Sequence, residues 1–172
     1  MFTDSNQDLQ ILPVGGYPRE VGRLIGILSH IRAETIQELS RVSDDQPEAG
    51  GDRISDSIAE NLVQIALEER ILQLRLFEGR EPEDGEREGW ARGLEAGEGD
   101  GGGLLHRLIE RLGEIRESTL RHLYRVSDGW LDERLDLPDG RTANRYWHLF
   151  HLAEEEVRHR EHMRWLLGRA AG

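Results

Sequence analysis

Two stretches, HIRAETIQELSRVSDD at residues 30–45 and EIRESTLRHLYRVSDG at residues 114–129, match each other at an offset of 84 residues. A weaker match follows at an offset of 87, where LVQIALEE (62–69) lies over LFHLAEEE (149–156). The second half of the chain therefore repeats the first, and each half is expected to form a pair of packed helices. The identical pairs of the stronger match include Ile31 with Ile115, Arg32 with Arg116, Thr35 with Thr119, and Leu39 with Leu123.

Apolar residues recur at three- and four-residue steps in four long segments, which is the period of an amphipathic helix. No alternating strand pattern of useful length is present. We therefore predict an all-α protein, a four-helix bundle in which the two helix pairs are related by a pseudo-two-fold axis. Ser55 or Asp56 is expected to cap the second helix. The four predicted helices span residues 17–42, 55–77, 103–126 and 142–167.

The chain of 172 residues is expected to form a single domain, residues 1–172, with an N-terminal extension at residues 1–16. The connection between the second and third helices, residues 79–103, is acidic and rich in glycine, so we expect a partly flexible loop. Trp90 and Leu94 are large enough to hold a short helical piece of it in place. In the last connection, Trp130 and Leu131 indicate a short helix or a packed loop.

Composition excludes several classes of function. The net charge of −12 argues against nucleic-acid binding, which needs clustered basic residues. No apolar run is long enough to cross a membrane, and the N-terminus lacks a basic, apolar leader, so a cytoplasmic location is expected. The chain has no cysteine, which leaves only nitrogen and oxygen ligands for any metal.

The last helix carries a line of histidines within WHLFHLAEEEVRHREHM, residues 147–163. At about 100° per residue, five of its side chains fall within roughly 80° of one helix face. Glu155 and His159 stand four residues apart on this face, so a carboxylate oxygen and an imidazole nitrogen could bind one ion, at about 2.0–2.2 Å. The same pattern also fits a polar helix face whose histidines pair with neighbouring glutamates. The five side chains are His148, His151, Glu155, His159 and His162.

The weaker match equates Gln64 with His151 and Glu68 with Glu155, so Gln64 is the candidate for a third ligand from the second helix. Glu154 and Glu156 point away from the line and are expected to be solvated. The remaining histidines are isolated on amphipathic helices and are given structural or surface roles; they are His30, His106 and His122.

Three stretches resemble the DinB/YfiT-like superfamily of four-helix bundles. FHLAEEEVRHREHMRWL (150–166) follows the family's ending, with His159 and Arg160 matching its His-Arg pair, while ENLVQIALEE (60–69) and GRLIGILSHIRAETIQEL (22–39) resemble its second and first helices. The resemblance covers the chain from Tyr17 onward. It implies the bundle fold and a homodimer.

The resemblance also implies a metal site, formed in the family by one histidine of the second helix and an H-x-x-x-H pair of the last. Position by position, these ligands fall on Gln64, Glu155 and His159, and only His159 is a histidine here. Such a set would hold a divalent ion (Zn, Ni or Mn) more weakly than three histidines. The implied activity is a thiol S-transferase or hydrolase that acts on a small molecule, with a low-molecular-weight thiol as the candidate cosubstrate. Glu68 or His151 would serve as general base.

A second function is open at this point. The chain is then a degenerate, non-catalytic and stress-related dimeric bundle that binds a ligand or a partner. In that case Gln64, Glu155 and His159 form a hydrogen-bonded network with no ion between them.

Overall fold

The computed structural model describes residues 10–40, 51–96, 103–137 and 139–170. Most of the described chain is helical, so the all-α class is confirmed. The Arg-Val-Ser-Asp run at 41–44 and two of the three adjacent glycines lie outside the described residues. The elements are α1 (Arg19–Leu39), α2 (Gly51–Gln73), a π-helical turn (Leu74–Glu78), α3 (Glu86–Glu95), α4 (Leu104–Leu123), a 3-10 turn (Asp128–Asp132), β1 (Arg134–Asp136), β2 (Thr142–Asn144) and α5 (Arg145–Ala170).

The four long helices make up the body of the protein. Helix α2 packs against both α4 and α5, and α1 packs against α5. Two apolar clusters fill the interior: one includes Leu62 and Leu108, and the other includes Leu24 and Leu149. Each of these leucines is almost fully buried, and burial of one such side chain stabilises the fold by about 1.5–3 kcal/mol. No helix within the described ranges combines the length and apolarity that a membrane span requires.

One local expectation was wrong, and one short element was not predicted. Helix α2 begins at Gly51, ahead of the predicted cap at Ser55 or Asp56, because Ile54 packs against the apolar core and brings the first turn into the helix. Strands β1 and β2 form an antiparallel ribbon between the 3-10 turn and α5. Each strand has three residues, which is too short for an alternating pattern to be recognised in the sequence.

The connection between α2 and α4 contains the short helical piece expected around Trp90 and Leu94. This piece is α3, and Leu94 is buried against the cluster shared by α2 and α4. Arg80 binds the carboxylate of Glu86 through two hydrogen bonds of 2.8 and 3.0 Å at the start of the helix. The connection therefore places an ordered helix beside α2 and α4.

The 3-10 turn after α4 caps the distant start of α1. The Asp128 Oδ1 atom accepts hydrogen bonds from the backbone N–H groups of Glu20 (2.9 Å) and Val21 (3.1 Å). Pro18, which precedes α1, provides no side-chain cap of its own. A carboxylate from the second half of the chain thus satisfies the first turn of a helix in the first half.

We predict that Asp128→Ala lowers the free energy of unfolding by about 1–2 kcal/mol, since it removes the acceptor for two helix N–H groups. Asp128→Asn keeps an oxygen at this position and should lose about half as much. Asp132→Ala, in the same turn and exposed, is the control and should lie near wild type. Urea unfolding measures all three, and equal values for Asp128→Ala and Asp132→Ala would contradict the cap.

Candidate functional site

The histidine line of α5 runs from the core to the surface. His148 is buried, His151 and His159 are partly buried, and His162 is exposed. The His151 ring stacks on Trp147 at a centroid distance of 4.7 Å. Its Nε2 atom lies 3.4 Å from an oxygen of Glu155, one turn further along. His151 is therefore paired within its own helix.

Asn61 of α2 contacts the C-terminal end of this line of histidines. Its Nδ2 atom donates to the carbonyl of Ser57 (2.7 Å), so its Oδ1 atom faces α5. This oxygen lies 2.9 Å from Nδ1 of His159 and 3.2 Å from Nδ1 of His162. Because an amide oxygen only accepts, both imidazoles must carry their proton on Nδ1. One amide thus sets the tautomer of two histidines.

Burial keeps two of these histidines neutral. Desolvation lowers the pKa of His159 below its ordinary value of 6.5, and the positive charge of Arg158 adds to the effect, while Glu68 opposes it. Desolvation also lowers the pKa of His148, with a further contribution from Arg75. Both imidazoles are therefore uncharged at neutral pH.

The three predicted metal ligands are each engaged by another side chain. The Gln64 Oε1 atom accepts a hydrogen bond from Arg87 of α3 (3.1 Å), and Glu155 forms an ion pair with Arg158. His159 uses Nδ1 on Asn61. Both oxygen donors of the set therefore face a guanidinium group, which repels a divalent cation. As a set, these three residues do not fit a divalent ion.

The two predicted general bases lie at the margin of the same region. Glu68 is one-third exposed, and its nearest cation is the Arg87 guanidinium at 3.5 Å. His151 is more exposed and is held by Trp147 and Glu155. Within the described residues, no group of three or more histidine, aspartate or glutamate side chains has an arrangement that could hold a metal. Catalytic roles for Glu68 and His151 stay predictions.

Four charged side chains in the interior form a closed quartet: Arg32, Glu69, Arg116 and Glu156. The Nε atom of Arg32 donates to Glu156 (2.6 Å), and the Nε atom of Arg116 donates to Glu69 (2.7 Å). The Nη2 atoms make the crossed pairs, from Arg32 to Glu69 (3.0 Å) and from Arg116 to Glu156 (3.2 Å). Each arginine therefore binds both carboxylates.

The residues of the quartet are related to one another by the internal repeat. Arg32 and Arg116 are related by the offset of 84, and each donates through Nη1 to a backbone carbonyl of the other half, that of Leu112 or Leu28, at 2.9 Å. These two leucines are related by the same offset. Glu69 and Glu156 are likewise related by the offset of 87. The two halves thus exchange equivalent hydrogen bonds.

One feature breaks this symmetry. The Thr119 hydroxyl donates to Glu69 (2.7 Å) and accepts from Nε2 of Gln73 (3.0 Å). Its counterpart Thr35 donates instead to the carbonyl of Ile31 in its own helix. Glu69 therefore receives one more hydrogen bond from a neutral group than Glu156 does.

Opposite charges keep Arg32 and Glu69 ionised despite their burial. Burial alone would raise the pKa of Glu69, but the charges of Arg116 and Arg32, with hydrogen bonds from Arg116 and Thr119, outweigh it and lower that pKa. Burial alone would lower the pKa of Arg32, but Glu156 and Glu69 outweigh it and raise that pKa. The quartet is closed to ligands, because its polar atoms are used within the protein.

The expectation that Glu156 is solvated was wrong, since only 1% of its surface is exposed. The sequence contained a usable signal for this burial. Glu156 continues the apolar steps from Leu149 and Leu152 along α5, and Glu69 occupies the matched position of α2. Identical charged residues on the apolar line of both halves indicate a paired interior network. The glutamate beside it, Glu154, is exposed as expected.

A protein-family model, described as the DinB superfamily, matches residues 27–163. This chain belongs to the DinB superfamily. The match begins within α1 and ends within α5, so it includes the whole quartet and the three predicted ligands of this DinB-superfamily chain. A comparison with curated proteins found no match.

Proposed function

We propose that this DinB-superfamily chain is a non-catalytic four-helix bundle that binds a small ligand and does so without a divalent ion. The observation that supports this proposal is the state of the two oxygen donors in the predicted metal set. Gln64 accepts from Arg87, and Glu155 is paired with Arg158. To bind a cation, the site would have to displace both guanidinium groups, and each would then lose its partner.

The interior polar residues have a structural role in this proposal. The quartet joins the two halves of the repeat, and Asn61 joins α2 to α5 through His159 and His162. The polar atoms of the quartet are used within the protein, so the quartet stabilises one packing of the helices and offers nothing to a substrate. The binding role then falls to the surface grooves between helices.

Metal titration of protein without a histidine tag tests the proposal. We expect calorimetry to detect no saturable binding of Zn, Ni or Mn, and we expect a chelator to leave the melting temperature unchanged. His159→Ala is the matched variant, because it removes the single histidine of the predicted set. If wild type binds one of these metals saturably and His159→Ala does not, the proposal is overturned. That result would favour the metal-dependent enzyme instead.

A further inference from the structure

A groove lies between α2, α3 and α4, on the side of the protein that α3 covers. Its volume is about 430 Å³, which is within the range of small-molecule sites. Trp90 and Leu94 of α3 contribute apolar surface. Gly89 and Gly93 also line it, and a Cβ atom at either glycine would meet no other atom within 4 Å. The groove is therefore open enough for a ligand to lie against α3.

The groove carries positive charge in an acidic protein. Its lining includes three arginines, Arg70, Arg111 and Arg121, and one carboxylate, Glu114. Arg111 is paired with Glu114 (2.8 Å), and Arg70 lies over the Trp90 ring at 5.5 Å. Neither Arg70 nor Arg121 forms an ion pair with any other residue in the described part of the chain. Within that part, two guanidinium groups are thus uncompensated, although the whole chain has a net charge of −12.

The internal repeat supplies a comparison within the same molecule. The corresponding positions of the other half fall on α5 and α1, and the offsets of 87 and 84 give their residues. The arginines have no charged counterparts there, because the matching positions are occupied by Val157 for Arg70, Ile27 for Arg111 and Gln37 for Arg121.

The charged residues at the matched positions are one of each sign. Arg160 stands where the first groove has Gln73, and Glu34 stands where it has Ser118. The quartet is built from equivalent residues of the two halves, whereas the three arginines are confined to the half that α3 covers. A requirement of the repeated fold would apply to the matched positions of both halves, so the arginines point to a ligand.

The geometry points to an anion-binding site in this groove, for a small molecule that joins a phosphate or carboxylate group to an aromatic ring. Arginine binds both oxyanions through parallel N–H donors, and Arg121 and Arg70 have donors to offer. One face of the Trp90 ring lies under Arg70, so the ring of the ligand would contact the remaining apolar surface of Trp90. The inference rests on the proposed function, since it names the ligand class of a binding protein.

Calorimetry and NMR with phenyl phosphate, benzoate, inorganic phosphate and benzyl alcohol test this site. We expect saturable binding of phenyl phosphate or benzoate, with a shift of the Trp90 indole N–H signal, and weaker binding of the two probes that lack either ring or charge. Which aromatic anion binds more tightly identifies the oxyanion. Raising the salt concentration from about 50 to about 200 mM should weaken binding.

The double variant Arg70→Gln with Arg121→Gln removes both uncompensated guanidinium groups and should lower the affinity about tenfold or more. Arg121 is exposed and Arg70 is partly buried, and a melting curve near that of wild type checks that the fold is kept. Arg19→Gln makes the same kind of charge change at an exposed site on α1 and should leave the affinity unchanged. The absence of saturable binding, or an equal loss in Arg19→Gln, would overturn the site. Neither result would revive a metal centre, which the titration above decides separately.

Discussion

Replacing Glu69 by glutamine is expected to lower the free energy of unfolding by about 3–5 kcal/mol, the range measured when one partner is removed from a buried ion pair. Glu69 is fully buried and receives hydrogen bonds from Arg32, Arg116 and Thr119. The substitution leaves two interior guanidinium groups with a single carboxylate, that of Glu156. Urea unfolding at neutral pH measures the loss.

Glu68→Gln is the matched control because it makes the same change at the adjacent residue. Glu68 is one-third exposed, and its nearest cation lies 3.5 Å away, so the expected loss is within about 0.5 kcal/mol. If the two variants unfold alike, Glu69 is not an ionised member of an interior network.

The pH dependence of the stability difference between wild type and Glu69→Gln is a second test. The pKa of Glu69 is lowered from 4.5, so its stabilising contribution is present above that value and is lost as the pH falls through the folded-state pKa. The gap between wild type and Glu69→Gln should therefore persist at pH 4.5 and close only in stronger acid.

A fourfold replacement separates the cost of an unpaired charge from the net value of the quartet. With Arg32→Met, Arg116→Met, Glu69→Leu and Glu156→Leu combined, no buried charge is left without a partner. We expect this variant to unfold within a few kcal/mol of wild type, or to be more stable, since well-packed apolar residues often equal a buried ionic network. A fourfold variant much less stable than Glu69→Gln would contradict this explanation.

The second large effect is expected from Asn61→Asp, which should reverse the pH dependence contributed by His159. In wild type the pKa of His159 lies below 6.5, so its contribution to stability is present above that pH and is lost as the pH falls through the folded-state pKa. A carboxylate at position 61 would face Nδ1 of His159 and His162 and raise their pKa values. The contribution would then be present below pH 6.5 and lost at higher pH.

Between pH 5.5 and pH 8, the difference in free energy of unfolding between wild type and Asn61→Asp should change by on the order of 2 kcal/mol. One unit of pKa corresponds to about 1.4 kcal/mol. NMR titration of the imidazole signals, with urea unfolding at the two pH values, measures it. Adding His159→Gln to Asn61→Asp should remove most of the reversal. His148 is the same in both proteins, so its own lowered pKa cancels in the comparison. An unchanged His159 titration in Asn61→Asp would show that Asn61 does not hold the ring.

Much of this architecture follows from the amino-acid pattern alone. The three- and four-residue apolar steps predicted the long helices, because burial of one face of a helix demands that period. The short helix at Trp90 and Leu94 was also predicted, since two large apolar side chains in a polar connection need a surface to cover. The start of α2 was missed, because Ile54 draws the first turn inward and overrides the capping preference of Ser55 and Asp56.

The candidate site was predicted less well than the helices. His151 and Glu155 are neighbours, as a four-residue spacing on one helix requires. The partner from α2 is different, because Asn61 faces His159 while Gln64 is held by Arg87. Spacing along α2 could not distinguish Asn61 from Gln64, which stand one turn apart on the same side.

By itself, the sequence determined the all-helical class and the repeat of two halves. It also determined that Arg32 is equivalent to Arg116 and Glu69 to Glu156 in that repeat. These follow from period and offset within the chain. The tertiary structure decided that Glu156 meets both Arg32 and Arg116, and that Arg87 reaches Gln64. Helical period gives the angle of a side chain about its own axis, at about 100° per residue. Which neighbour stands at that angle depends on how the other helices pack, and no single segment carries that information.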